Sequence, residues 1–185
     1  QGQTRADAMV MAGMLHTTWS CPKPVIARVH GDAYAGGLGL VAACDIVVAA
    51  DTAGFCPSEA RLGLLPAAIS PYVIRAIGEQ AARRYFLTAE RFDAREAHRL
   101  GLVHVMVKAA ALDDAVAGLT TALLRNGPHA VRKSKRLVQE MADLPIDRSL
   151  IAETAARVAQ IRCSEEGREG VLAFLEKRTA SWAIT

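Results

Sequence analysis

The sequence contains few cysteines, no long apolar run and little net charge. None of its four cysteines belongs to a Cys-x-x-Cys pair or stands near a histidine at a metal-ligand spacing: Cys21, Cys44, Cys56 and Cys163. We therefore expect neither a disulfide framework nor a cysteine metal site, and we predict a reduced, cytoplasmic chain. The longest apolar runs are interrupted by Asp45 and Asp51 and are too short to span a bilayer, so no membrane partner is expected.

The placement of charge, histidine and serine excludes further functions. The 22 basic and 19 acidic residues are scattered and leave a net charge of +3, which indicates no single basic field. The cluster at Arg132–Arg136 interleaves with apolar residues at helical spacing, so a solvated helix face is favoured over a nucleic-acid partner. No two of the five histidines stand at i, i+4, and no metal is predicted. Ser58 and Ser70 lie outside any Gly-x-Ser-x-Gly, which argues against a serine hydrolase.

The composition, 51% hydrophobic and 22% charged, fits one globular domain with a sizeable core. Two prolines introduce a β-branched segment at Pro24–Val29, and a second such segment, Asp45–Ala50, follows after about twenty residues. A small-residue turn and the start of a helix near Gly36–Leu38 lie between them. This order is typical of a β-turn-α-β crossover, which predicts an α/β fold with parallel strands.

Beyond Pro66 the pattern is mostly helical. A helix is predicted from Ser70 to Gly78, a second from Glu79 to Leu87, and a short strand at Leu102–Val107. The rest of the chain consists of amphipathic helices that we expect to pack on each other or on another subunit. The predicted organisation is therefore an α/β core over residues 1–110 and a helical oligomerisation region over residues 111–185.

The glycines of the turn after the first strand have two interpretations. Gly36, Gly37 and Gly39 form G-G-x-G, which differs from the G-x-G-x-x-G of dinucleotide-binding folds. Amides at the start of the following helix are unpaired within it and can hold a developing negative charge. The same glycines could instead only permit close packing of helix and strand. The spacing alone leaves both interpretations open.

The longer motifs carry a family resemblance. The segment CPKPVIARVHGDAYAGGLGLVAACDIVVAADTAGFCPSEARLGLLPA resembles the core of the enoyl-CoA hydratase/isomerase, or crotonase, superfamily, and the likeness continues through LTAERFDAREAHRLGLVHVMV and EGVLAFLEKRTASW. The string RLGLLPAAISPYVIRAIGEQAARRYFLTAERFDA is most similar to the branch that hydrates methylglutaconyl-CoA and related 3-methyl-branched enoyl-CoAs.

The resemblance implies a ββα spiral whose C-terminal helices form a trimer, commonly paired into a hexamer. It also implies an acyl-CoA thioester as substrate, with coenzyme A as part of that substrate and no separate cofactor. The amide of Gly36 would be one of two donors to the thioester oxygen, and Gly37 would contact the substrate beside it. The other donor and part of the CoA site would belong to a segment of the family domain that precedes this chain and is expected to be missing from it.

The resemblance also assigns the acid/base role to Glu59. Many family hydratases carry a second glutamate, and Gly39 stands at its position here. Two reactions stay open: hydration by Glu59 with another group, or isomerisation of a Δ3-enoyl-CoA to the Δ2 form by Glu59 alone, and the branch motif favours hydration. A non-catalytic or RNA-binding family member is the further alternative. Phe174 and Lys177 would approach the CoA of a neighbouring subunit, although Lys177 could equally serve its own helix end.

Overall fold

The computed structural model describes residues 2–183, except for the side chains of residues 3 and 4. Its strands are β1 (Ile26–Val29), β2 (Ala33–Tyr34), β3 (Ile46–Ala50), β4 (Gly54–Cys56), β5 (Phe92–Asp93) and β6 (Val105–Val107). Its α-helices are α1 (Gly2–Ser20), α2 (Gly36–Ala42), α3 (Ser70–Thr88), α4 (Ala94–Arg99), α5 (Leu112–Leu124), α6 (Pro128–Met141), α7 (Arg148–Cys163) and α8 (Glu165–Leu175). Two 3₁₀ turns complete the elements, at Ser58–Leu62 and Ala109–Ala111.

The strands alternate between two three-stranded sheets, with the orders β1-β3-β6 and β2-β4-β5. The chain passes through β1, β2 and α2, and then repeats the same path through β3, β4 and α3. Each passage adds one strand to each sheet before the helix, which is the ββα repetition that the resemblance implies. The mixed α/β fold class is confirmed.

The first sheet is entirely parallel, as the two apolar segments predict. In the second sheet β2 runs parallel to β4, whereas β4 and β5 are antiparallel. The carboxylate of Asp45 fixes where β1 and β3 begin, because it accepts the Val25 amide at 2.7 Å while its own amide donates to the Val25 carbonyl at 2.9 Å. The aspartate before the second strand therefore sets the register of this sheet.

The core around the two sheets is formed by apolar side chains from both sheets and from helices α1, α2 and α3. Leu15 of α1, Leu38 of α2 and Val73 of α3 are completely buried, as is Phe55 of β4. The Phe55 ring stacks on Phe92 with 5.7 Å between ring centroids. Burial of these side chains supplies the main driving force for folding, at roughly 1.5–3 kcal/mol for each.

Two of the predicted element boundaries have clear physical outcomes. Gly78 adopts φ 78° and ψ 161° and breaks α3 into two helical segments, as predicted. The strand predicted over Leu102–Val107 is shorter, and only Val105–Val107 is extended and paired. The Val47 amide donates instead to Nδ1 of the His104 imidazole at 3.0 Å, so a side chain replaces a rung of the sheet there.

The chain divides into two compact units, Gln1–Ala117 and Gly118–Thr185. The second unit contains α6, α7 and α8, which confirms the helical character predicted for the C-terminal region. The Glu166 carboxylate caps α6 by accepting the amides of His129 and Ala130 at 2.8 and 2.7 Å, because Gly127 at the N-cap has no side chain to do so. Within residues 2–183 no helix combines the length and the apolarity needed to cross a membrane.

Candidate active site

Two neighbouring parallel strands bring Gly36 and Glu59 to the same edge of the second sheet. Tyr34 at the end of β2 lies opposite Cys56 at the end of β4. Gly36 follows β2 by two residues and Glu59 follows β4 by three. The carboxyl ends of parallel strands meet at one edge of a sheet, and ligands commonly bind there. The register therefore brings the start of α2 and the turn that carries Glu59 to the same edge of this sheet.

Ala35 joins the two segments through an unusual backbone conformation. Its amide donates to the Cys56 carbonyl at 2.9 Å. Its φ of 46° and ψ of −118° are disfavoured for any residue with a Cβ, and such strain costs about 1–3 kcal/mol. The first α-helical bond of α2 runs from the Gly39 amide to the Ala35 carbonyl, at 3.2 Å. The amides of Gly36 and Gly37 thus follow directly on the strained turn and have no α-helical acceptor within α2.

The three glycines of this turn have different surroundings. A Cβ at Gly37 would have nothing within 4 Å, so the backbone is open to an approaching molecule. A Cβ at Gly36 would contact only the flexible end of Met11. A Cβ at Gly39 would overlap the Ile69 side chain. A Cβ has room at Gly37 but not at Gly39, so close packing applies at Gly39, while the role of the Gly36 and Gly37 amides stays a prediction.

The Glu59 carboxylate is half-buried in the 3₁₀ turn Ser58–Leu62. Its Oε2 atom is buried and has no hydrogen-bond partner, which is true of no other side-chain nitrogen or oxygen in the described part of the chain. Buried polar atoms without partners are rare and destabilising, so each calls for an explanation. The hydrogen-bonding capacity of this oxygen is therefore unused within the described part of the chain.

The turn that carries Glu59 is anchored on one carbonyl, that of Ala89 at the end of α3. Arg61 donates to this oxygen at 2.6 Å and the Cys56 thiol donates at 3.1 Å. Burial raises the pKa of the Cys56 thiol; the positive charge of Arg61 opposes this shift and the negative charge of Glu59 adds to it, which keeps the thiol protonated as a donor. The residues on both sides of Glu59 are thereby fixed to the same helix end.

An apolar loop follows Glu59 directly. Leu62, Leu64 and Leu65 expose between 61% and 76% of their surface. Exposed clusters of large apolar side chains often mark contact sites for ligands or partners. Neither this loop nor Arg61 is among the site residues predicted from the sequence. The leucine run between Gly63 and Pro66 is nevertheless a visible signal, because it fits neither a strand nor an amphipathic helix.

Phe174 and Lys177 belong to the second unit, and they lie near each other at the end of α8. Phe174 exposes 81% of its surface. The Lys177 amide donates to the Phe174 carbonyl at 3.2 Å and the Arg178 amide to the Ala173 carbonyl at 3.0 Å, which is the Schellman pattern of helix ends. Lys177 occupies the left-handed position of that motif, with φ 53°, where glycine is usual.

The residues after Lys177 fold back onto α8. The Arg178 guanidinium binds both oxygens of Glu169 at 2.7 and 2.8 Å, and the Ser181 amide adds a bond at 2.9 Å. Chiefly because Arg178 donates to it, the pKa of Glu169 falls to about 2. The Trp182 ring lies beside Gly170, where an added Cβ would be 3.0 Å away from it. Arg178 Nε also donates to Glu176 Oε2 at 2.7 Å. Glu169, which accepts three of these four bonds, is therefore the main anchor of this C-terminal segment, residues 178–183.

We expect the C-terminal segment to detach in acid. Its stabilisation by Glu169 is complete above the ordinary glutamate pKa of 4.5 and is lost as the pH falls toward 2, because the folded state holds the carboxylate ionised. In a Trp19→Phe background, Trp182 fluorescence should shift to the red across this window while far-UV helicity persists. The Glu169→Gln variant should show the shifted emission already at pH 7. An acid transition of equal midpoint in that variant would contradict the assignment to Glu169.

Comparison with known proteins shows which family the chain resembles in sequence and in fold. The family description enoyl-CoA hydratase/isomerase matches residues 4–184. The crystal structure of an enoyl-CoA hydratase from Shewanella pealeana matches with a TM-score of 0.93 and 46% identity, over 98% of this chain and 68% of that one. Crotonyl-CoA hydratase of Syntrophomonas wolfei is 36% identical over 161 residues, 86% of this chain and 62% of the relative.

Carnitinyl-CoA dehydratase of Escherichia coli is 34% identical over 164 residues, 86% of this chain and 63% of the relative. The chain spans between 55% and 65% of the length of the curated relatives that it matches. The family match extends over nearly the whole chain, and the structural match confirms the predicted fold. The chain therefore belongs to the enoyl-CoA hydratase/isomerase family, the crotonase superfamily.

Proposed function

We propose that the protein is an enoyl-CoA hydratase in which Glu59 is the acid/base and the Gly36 amide is a donor to the thioester oxygen. The observation that carries the proposal is the buried, unpartnered oxygen of Glu59 at the same sheet edge as Gly36. Relatives named as a crotonyl-CoA hydratase and a carnitinyl-CoA dehydratase support the reaction class. Their acyl groups differ, and the CoA thioester is what their names share.

The reaction adds water across a carbon–carbon double bond conjugated to the thioester. Hydroxide from the water bonds to the β-carbon, a proton bonds to the α-carbon, and the charge passes through an enolate on the thioester oxygen. The free Oε2 of Glu59 accepts the proton of the water and returns a proton to the α-carbon. An amide aimed at the developing oxyanion lowers the barrier because it gains strength as the charge forms. We assign that amide to Gly36.

For the acyl group we propose a 3-methyl-branched, carboxylated chain such as methylglutaconyl-CoA. The motif from Arg61 to Ala94 is similar to that branch. Gly39 brings no second carboxylate, and fewer negative charges in the proposed site favour an acyl group with its own carboxylate. The sequence of this motif therefore supports a more specific substrate than the family match alone does.

The test compares methylglutaconyl-CoA with crotonyl-CoA by following the ultraviolet absorbance of the conjugated thioester, which disappears on hydration. We expect a higher kcat/KM for the carboxylated substrate. The single glutamate also suits an isomerase, so a Δ3-enoyl-CoA is assayed beside them. A conjugated product from the Δ3-enoyl-CoA, with no hydroxyacyl-CoA from either of the other substrates, would show that the protein is an isomerase and not a hydratase. Salt-sensitive RNA binding with no turnover of any acyl-CoA would favour the non-catalytic alternative.

The contacts to CoA and the assembly state complete the proposal. Exposed Phe174 offers a face to the adenine, and Lys177 offers a charge to a phosphate. Several other large apolar side chains of the second unit are also exposed, among them Ile146, Ile151 and Leu175, as expected of a surface that packs against other subunits. We expect a homotrimer or a hexamer, which sedimentation of the purified protein measures. A reduced, cytoplasmic chain stays a prediction.

Arg61 should act as a positioning residue for Glu59. We expect Arg61→Ala to lower kcat by about tenfold at unchanged KM, because the turn loses its bond to the Ala89 carbonyl and the carboxylate moves from its productive place. Arg61→Lys keeps a donor and should recover part of the rate. Arg95→Ala, at an exposed arginine of α4, is the matched control. Equal kcat for the Arg61→Ala variant and the natural chain would remove Arg61 from the site.

A further inference from the structure

Gly39 and Ile69 fit together more tightly than any other pair around the glycine turn. An ideal Cβ on Gly39 would overlap Cγ2 of Ile69, and it would lie 2.7 Å from Cβ and 3.5 Å from Cα of the same residue. Real Cβ atoms keep at least about 3.4 Å from such neighbours in ordinary van der Waals contact. The obstacle includes the root of the Ile69 side chain, so a change of rotamer cannot remove it.

Ile69 is held firmly in this position. Only 1% of its surface is exposed. Its carbonyl accepts the amides of Tyr72 and Val73 at 3.1 and 3.0 Å, which begins α3. Isoleucine is branched at Cβ and has little rotamer freedom. The backbone and the side chain of Ile69 are thus both fixed where a side chain at position 39 would have to pass.

We infer that Ile69 keeps position 39 as glycine and that the Gly39–Ile69 pair thereby holds the site to the single carboxylate of Glu59. The chemical meaning of this inference rests on the proposed function, which places the Gly36 amide, one helical turn before Gly39, in the active site. A change from one carboxylate to two requires both residues to change together. The pair is therefore the determinant of which acid/base groups the site can carry.

The steric part of the inference is tested by stability, which needs no activity. Gly39→Ala should lower the Tm by about 5 °C, as overpacking of a filled core does. Gly13→Ala on α1 is the matched control, because a Cβ there meets nothing within 4 Å, and it should leave the Tm equal or higher. The Gly39→Ala change is then combined with Ile69→Val, Ile69→Ala and Ile69→Gly.

The rescue should follow the atoms removed at position 69. Ile69→Val keeps Cβ and Cγ2 and should give no rescue. Ile69→Ala removes Cγ2, and Ile69→Gly also removes Cβ. The Tm of each of these double variants should lie above the value expected from adding the two single-variant changes, and the difference should be larger for Ile69→Gly. Additive Tm values for all three combinations would overturn the pairing. Rescue by Ile69→Val as large as by Ile69→Gly would overturn it as well.

The chemical part is tested with Gly39→Glu, alone and combined with Ile69→Gly, on crotonyl-CoA. The combined variant should have at least about tenfold higher kcat than Gly39→Glu alone, and its pH profile should gain a second acidic limb. A folded double variant with the single-limb profile would overturn the role of the pair in the chemistry. If the natural chain hydrates no acyl-CoA, the proposed function fails, while the stability cycle still decides whether Ile69 excludes a side chain at position 39.

Discussion

Replacement of Glu59 by glutamine should lower kcat for hydration by about 10²–10⁴-fold, the range that a positioned acid/base contributes. Glutamine has nearly the same shape but cannot accept and return a proton. The buried Oε2 of Glu59 has no partner in the described part of the chain, so a negative charge there destabilises the folded state. We therefore expect the Glu59→Gln variant to have an equal or higher Tm together with the loss of rate.

A lower kcat together with an equal or higher Tm distinguishes a catalytic carboxylate from a structural one. Glu165→Gln changes an exposed glutamate of the second unit and is the control. Its kcat should stay unchanged and its Tm should fall only slightly, because Glu165 lies in the first turn of α8. Glu59→Asp keeps the charge on a shorter side chain and should retain part of the rate. Hydration by the Glu59→Gln variant at the natural rate would exclude the proposed mechanism, and a large fall in its Tm would show that Glu59 supports the fold.

The parts of this fold that could be predicted from sequence are those with strong local signals. Prolines and β-branched residues indicate β1, an aspartate and a β-branched run indicate β3, and Gly78 interrupts α3 as its position in the pattern suggests. These features depend on residues close together in the chain, so their physics can be read locally. The start of α2 at Gly36 was predicted on the same basis.

The rest of the site depends on contacts between distant residues. Strands β2 and β4 have only two and three residues, too few to show a period, yet their register brings Gly36 and Glu59 to the same edge of the sheet. Ala35 carries no local sign of a positive φ, because its conformation is imposed by the bond to Cys56. The overlap between position 39 and Ile69 spans thirty residues and becomes visible only in the folded chain.

Replacement of Gly36 by proline should lower kcat by about 10²–10³-fold, the usual effect of removing one oxyanion donor. Proline deletes the amide hydrogen, and the first position of a helix tolerates it because that amide has no acceptor within the helix. Ala35 lies outside the right-handed helical region, the conformation that a following proline disfavours. The loss should fall on kcat, since the donor acts mainly on the charge that develops during the reaction.

Gly36→Ala is the matched control for this experiment. Both variants place a Cβ against the flexible end of Met11, but alanine keeps the amide hydrogen that proline removes. We expect the alanine variant to retain most of the natural kcat, with circular dichroism and Tm showing that both variants fold. Equal losses in the two variants would assign the effect to crowding by the Cβ and withdraw the Gly36 amide as donor. A loss of kcat in the proline variant alone would assign a catalytic role to the amide hydrogen of Gly36, which substitutions that keep this hydrogen cannot test.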